Sequence, residues 1–412
     1  MRGNRDVCAP LVPRRLSGAR ACLVTALCAS ALAVPLARAV YAPIPALEQG
    51  RPVTVYLGAA TYYDSNVFGA EEGAVDSMVY QFQPSLVFNA SLGGQTFASA
   101  SYRLSLDYIP DRPGETVLDS HELTARLAHT FTPQTEFDFS QSLQVSKNPE
   151  SLLPGVGTLS TDQSFRRSQT DARFSTSLTR RTGLLFKARY GVYDYDDPGL
   201  GRELDRGEAL AGVTAIHSLL PTWKASAEYR HQRIQYDHNG GFKNKRSHFL
   251  LAGTDYALND RTALSIRLGA EFRNREGERN QTSPYVELGA KRDYARGSFV
   301  SLGFSHSVEE TSSVALFTDA RVNRVFVNWN HVLTPKLTGS TSVVWEPTTL
   351  QGRSGVSPDR AETNLRVGLA AIFRPRENLT LSATVDLDRI ASDQPGRDLR
   401  RNRIGVAAKY AF

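Results

Sequence analysis

A chain of 412 residues, 41% hydrophobic and 22% charged with a formal charge of +6, is long enough for two or three soluble domains. Its basic excess sits at the N-terminus. Residues 1–39 hold six arginines and one aspartate, so their removal takes the basic count from 48 to 42 and the acidic count from 42 to 41. That withdraws the compositional support for nucleic-acid binding. All three cysteines, Cys8, Cys22 and Cys28, lie in the same segment. The remainder therefore excludes disulfides, thiol catalysis and cysteine-ligated metal.

Residues 1–39 read as a signal peptide. Arg2, Arg5, Arg14, Arg15 and Arg20 precede an apolar run from Ala21 to Leu36, and Ala37-Arg38-Ala39 makes a small-x-small cleavage site. The run is too short for a spanning helix. Residues 40–51, with Pro43 and Pro45, read as a short flexible leader on the periplasmic side, and residues 52–412 as one repeated structure.

From residue 52 the chain alternates with period two. Tyr102, Leu104, Leu106 and Tyr108 oppose Arg103, Ser105 and Asp107. Leu123, Ala125 and Leu127 oppose Glu122, Thr124 and Arg126; Phe186 and Ala188 oppose Lys187 and Arg189. Leu264, Ile266 and Leu268 oppose Ser265 and Arg267; Leu381, Ala383, Val385 and Leu387 oppose Ser382, Thr384, Asp386 and Asp388. Each run is about 10–12 residues, the length of a tilted membrane strand. Half of every strand is polar, which suits a wet interior rather than a conventional core.

Tight turns near Gly93-Gly94, Thr132-Pro133, Leu220-Pro221, Thr334-Pro335 and Arg374-Pro375 alternate with longer polar loops such as 64–77, 148–168, 196–207 and 347–361. The repeat of roughly 40 residues is one hairpin plus one loop. The pattern predicts an all-β fold: a transmembrane antiparallel up-and-down β-barrel of about eighteen strands. The count falls to about sixteen if the segments near 78–90, with Pro84, and 318–333 are loops. An even count puts both termini on one side. His129, His217 and His331 precede matching turns and are expected to ring the interface rather than bind metal.

Two stretches resemble known proteins. Residues 401–412 end in Tyr410-Ala411-Phe412 on an alternating strand. This is similar to the C-terminal strand of Gram-negative outer-membrane β-barrels, and the resemblance implies that Tyr410 and Phe412 are an assembly signal for the barrel assembly machinery. Tyr62-Tyr63-Asp64-Ser65-Asn66-Val67-Phe68 resembles the start of the β-barrel porin family often associated with exopolysaccharide gene clusters. That resemblance implies a link to polysaccharide-export components.

Charge on the lipid face would cost about 2–4 kcal/mol each at mid-membrane, so charged residues belong to the lumen. The pore-lining candidates are Arg103, Arg126, Lys187, Arg189, Arg230, Arg267, Glu271, Arg273, Arg366, Asp386 and Asp388. Their modest cationic excess implies a mild anion preference. Loop 148–168, with Leu152, Leu153, Val156 and Leu159, is expected to fold inward as a constriction. No cofactor is expected, and the partners are outer-membrane lipid and lipopolysaccharide. The predicted function is porin-like passage of hydrophilic solutes across the bacterial outer membrane. A non-conducting structural or interaction barrel is one alternative. An outer-membrane hydrolase using His121, His231, His248 or His306 is another, although no nucleophile elbow or zinc helix motif is present.

Overall fold

The computed structural model describes residues 45–146, 164–311 and 315–412. The expected signal peptide and most of loop 148–168 lie outside these residues. Strands β1 to β6 are Val53–Asp64, Ser77–Ser91, Thr96–Tyr108, Val117–Thr132, Thr135–Ser146 and Phe165–Ser177. Strands β7 to β12 are Thr182–Tyr195, Arg206–Leu220, Trp223–Tyr236, Lys245–Asn259, Thr262–Arg275 and Gln281–Ala295. Strands β13 to β18 are Ser298–Glu309, Phe317–Thr334, Leu337–Gly352, Arg360–Arg376, Leu379–Ser392 and Leu399–Ala411. Two short helices, α1 (Pro198–Leu204) and α2 (Gly240–Lys243), interrupt loops.

Each strand pairs antiparallel with its chain neighbours, and β1 also pairs with β18 from Tyr56↔Ala411 to Asp64↔Arg403. The eighteen strands therefore form one closed sheet without an edge. Both doubtful segments are strands, β2 and β14. Proline donates no ladder hydrogen bond, and the β2–β3 pairing skips Gln83 and Pro84 without changing register. The sheet carries the missing bond because its neighbours on both sides hold the strand.

Alternation divides the two faces. In β1, Val53, Val55, Leu57 and Tyr63 are exposed, whereas Thr54, Tyr56 and Asp64 are buried. The outward face elsewhere is apolar and aromatic, with Tyr80, Phe82, Leu86, Leu123, Leu250, Leu268, Trp329 and Ile404 exposed. A soluble sheet would bury such a row; lipid suits it.

Three of the turns with the His-x-x-x-Pro spacing share one device. The pairing slips between Thr130 and Thr132, between Ser218 and Leu220, and between Val332 and Thr334. Each slip is a β-bulge around one extra residue, Phe131, Leu219 or Leu333, and all three are exposed. At two of the three a threonine hydroxyl also closes the turn by accepting from the chain beyond the proline: Gln134 N to Thr132 Oγ1 at 3.2 Å and Leu337 N to Thr334 Oγ1 at 3.0 Å. The repeat is thus a device that aims an apolar residue outward at the turn end of the barrel.

The seam between first and last strands is tied at its loop end. Arg401 donates through Nε to both oxygens of Asp64, at 3.0 and 2.9 Å, and both side chains are buried. Asp64 Oδ1 also accepts from Asn66 N at 2.9 Å. The Asn66 amide bridges Ala70 in both directions, at 2.7 and 2.9 Å, and Val67 packs with Val79, Ile109 and Leu118. The sequence motif Asp64–Phe68 is a clasp that ends β1, turns the chain and holds β18.

At the turn end, the leader is anchored rather than free over its described part. A 3-10 turn, Ala46–Glu48, places buried Glu48 where it accepts from Tyr56 Oη at 2.7 Å and Asn89 Nδ2 at 2.9 Å. Arg51 Nη1 donates to the backbone oxygen of Phe412 at 3.3 Å.

One glycine is required by close approach. Leu250's backbone oxygen occupies the space a Cβ at Gly269 would need. Because that atom belongs to the sheet, Gly269→Ala is expected to cost about 1–3 kcal/mol. A lower urea midpoint for the folded, heat-modifiable band checks this, and an unchanged midpoint would refute it.

Candidate functional site: the charged lumen

The inner wall has two halves. Along β3 to β7, ion pairs stand in open space. Arg103 Nη1 lies 2.9 Å from Glu122 Oε2, with both side chains 50% exposed. Arg126 donates through Nε to Asp138 at 2.9 Å, and Arg189 Nε lies 2.6 Å from Asp171 Oδ1. Period two puts each partner on the same face of an adjacent strand. Exposed pairs like these contribute at most about 1 kcal/mol each. Near Arg103, the space bounded by Glu48, Tyr56, Arg103, Glu122, Arg126 and Lys409 measures about 340 Å³.

Along β9 to β15 the loop half of the wall is closed. Lys245 Nζ lies 2.6 Å from Glu310 Oε1, and Arg275 Nη2 lies 2.8 Å from the same oxygen and 3.0 Å from Asp319 Oδ1. Arg273 Nε is 3.5 Å from Asp319 Oδ2 and Nη1 is 3.9 Å from Glu271 Oε2. Tyr236 Oη donates to Glu310 Oε2 at 2.7 Å and Ser247 Oγ to Glu271 Oε1 at 2.6 Å. Three cations meet three anions, so the buried cluster is balanced. Glu310 follows β13, and its carboxylate reaches across to β9, β10 and β11. Burial alone would raise the Glu310 carboxyl, but the charges of Arg275 and Lys245, with hydrogen bonds from Lys245 and Tyr236, hold it well below the usual carboxylate range.

Both short helices join this cap. Asp197 caps α1 by accepting from Leu200 N at 2.8 Å. Lys243 of α2, fully buried, donates to the carbonyl oxygens of Arg202 and Glu203 at 3.0 and 3.1 Å, the end of α1 where carbonyls lack partners. Arg353, from the loop after β15, lies over the Phe242 ring at 4.9 Å and 3.2 Å from Glu278.

The expected pore-lining residues are therefore divided. Arg103, Arg126, Lys187 and Arg189 are 40–57% exposed on the inner wall. Arg230 is held by Glu228 at 2.7 Å, and Arg267 Nη2 donates to both oxygens of Asp255 at 2.9 and 2.8 Å. Arg366 lies in register with Asp388, whose carboxylate is 3.2 Å from Arg403; Asp386 lies in register with Arg403. Glu271 and Arg273 sit inside the buried cluster, each 2% exposed, and do not face open space. Sequence reading missed Glu310, Lys245, Arg275 and Asp319 as a group, because Glu310 comes from a loop and no spacing links it to β10.

The strand histidines alternate onto the same face as the exposed apolar side chains. His129, His217 and His331 bond separately to Thr96, Thr182 and Tyr294. Among the described residues no group of three His, Cys, Asp or Glu side chains could hold a metal. His121 bonds to Tyr102 and Asp119, His248 to Tyr229, and His306 to Asn323; among the described residues none of these rings bonds a serine hydroxyl.

No protein-family model and no curated protein sequence matches this chain. Among solved structures it is similar to the outer membrane protein OpdK from Pseudomonas aeruginosa, at 11% identity over 87% of this chain and 99% of that one, with a TM-score of 0.49. OccAB4 from Acinetobacter baumannii is 11% identical over 89% and 100%, with a TM-score of 0.46. The siderophore receptor PirA from Pseudomonas aeruginosa is 8% identical over 87% and 80%, with a TM-score of 0.46. With an apolar outward face, a charged interior and no free edge, the chain has the architecture of an outer-membrane β-barrel.

Proposed function

We propose that this barrel is a bacterial outer-membrane channel for hydrophilic solutes, with the long loops outside and both described ends of the sheet in the periplasm. The observation that carries the reading is the row of water-exposed ion pairs, Arg103–Glu122, Arg126–Asp138 and Arg189–Asp171, on the inner wall opposite an apolar exterior. Barrels of this strand number leave an aqueous lumen in porins. The cap narrows that lumen from one side. The resemblance of the Asp64–Phe68 stretch extends the proposal to service in a polysaccharide-export system. Tyr410 and Phe412, which stack edge to face at 4.7 Å on the outward side, support recognition by the assembly machinery.

Purified protein in a planar bilayer tests the channel. Step conductance is expected; its absence would favour a non-conducting barrel. Because each exposed arginine faces one carboxylate, wild-type selectivity should be weak. The triple change Glu122→Gln, Asp138→Asn and Asp171→Asn leaves three cations on the open wall. It should roughly double the anion-to-cation permeability ratio at low salt, with the gain fading as salt rises. An unchanged reversal potential would mean that the current does not pass along β3 to β7.

A further inference from the structure

The outward face of β9 and β10 carries cations that neither the lumen nor a lipid belt explains. Arg233 and Arg246 stand directly opposite each other in register. One step nearer the turn end, His231 and His248 are also opposed, with ring centroids 4.7 Å apart. Tyr229 Oη bonds His248 Nδ1 at 2.8 Å on the same face. Both arginines are exposed, and among the described residues neither guanidinium has an ion-pair or hydrogen-bond partner. Like charges directly opposed across a ladder are destabilising. Glu276 lines the same 90 Å³ hollow as Arg233 and Arg246, but it is engaged with Asn244 Nδ2 at 3.5 Å and pairs with neither.

The arrangement recurs on the far hairpin. Arg389 and Arg400 are opposed across β17 and β18, are exposed, and have no side-chain partner among the described residues. Arg246 and Arg400 are each the second residue of their strand, and Arg233 and Arg389 each stand three residues before the strand end. Both pairs therefore lie at one level, just below the long loops, where a bilayer passes from chain to headgroup.

We propose that Arg233 and Arg246 form a clamp for the phosphate of a lipid headgroup in the loop-side leaflet, with Arg389 and Arg400 as a second clamp. A phosphomonoester has the charge to offset two guanidinium groups and enough oxygens to accept from both forks. The Tyr229 and His248 rings sit below it at the depth where amphipathic rings settle. The inference rests on the outer-membrane reading, in which lipopolysaccharide supplies such a phosphate from the outer leaflet.

The test uses the full folded barrel in detergent, with purified lipopolysaccharide, its dephosphorylated form and inorganic phosphate as probes. Arg233→Gln with Arg246→Gln should weaken lipopolysaccharide binding roughly thirtyfold, as expected for two basic residues near a membrane surface. Removing the lipid's phosphates should produce a similar loss with the wild type. Arg233→Lys with Arg246→Lys, which keeps the charge and loses the fork, should fall between. Unchanged affinity in the glutamine variant would overturn the proposal. Displacement of the lipid by millimolar inorganic phosphate would also overturn it, because the site would then be one for a free anion. Heat modifiability confirms that each variant is folded. Conductance of the same preparations separates the two readings: a conducting barrel whose glutamine variant binds lipid normally refutes the clamp and leaves the channel.

Discussion

Asp64→Ala should destabilise the barrel by about 3–5 kcal/mol, the scale of breaking a buried ion pair by removing one partner. Asp64 and Arg401 are 1% and 7% exposed, so little solvent screening discounts the loss. The change also deletes the acceptor for Asn66 N and so loosens the turn after β1. Asp64→Asn keeps an oxygen for that turn but not the charge, and should cost less. The readout is the urea midpoint of the heat-modifiable band, with Arg103→Ala as a control in an exposed pair expected to change stability by about 1 kcal/mol or less. Equal midpoints for Asp64→Ala and the control would refute the clasp.

Glu310→Gln should open the cap. It leaves Lys245, Arg273 and Arg275 facing only Asp319 and Glu271 in a buried site. The cost is again about 3–5 kcal/mol, borne locally by the contacts that Glu310 makes to β9, β10 and β11, so the expected result is a larger single-channel conductance rather than an unfolded barrel. The effect of pH follows from the sign of the shift. Glu310 has its carboxyl held below the ordinary value of 4.5. Its contribution is full above that ordinary value and is lost only as pH falls through the lower, folded one. Wild-type conductance should therefore stay constant from about pH 7 to pH 5 and rise only in stronger acid. A rise already within the milder range would remove Glu310 as the group that holds the cap.

The strands were legible in the sequence because alternation is a property of neighbours two apart, and it needs no knowledge of what lies across the sheet. The alternation read from Tyr102 to Tyr108, for example, falls within β3, Thr96–Tyr108. The two short helices were not legible. α1 and α2 are too short to show a period, and they exist because Asp197 caps one and Lys243 joins the end of one to the other. The strands also run further into the loops than alternation implied: β15 extends to Gly352, inside the loop expected over 347–361. The lumen was half legible. Period two places Glu271 and Arg273 inward, but whether an inward charge meets water or a loop depends on Glu310, which no periodicity predicts. The inward fold expected of loop 148–168 concerns residues that are largely outside those described, whereas Glu310, just after β13, does reach inward.

The clasp at the seam has a further consequence for the order of folding. Asp64 and Arg401 are 337 residues apart, whereas every other strand pairing joins chain neighbours. Loop-closure entropy grows as (3/2)RT ln n, so the seam costs about 3 kcal/mol more to close than a ten-residue hairpin. Hairpins can zip one after another with local contacts, but the last pairing has no reward until both ends meet. Before that moment the sheet is an open ribbon with two unpaired edges, β1 and β18, each a template for joining another chain. A buried salt link next to the final ladder shortens the life of that ribbon only if it forms with the closure itself. Slowing the clasp should then show as aggregation during refolding, in proportion to protein concentration, even where the finished barrel is stable.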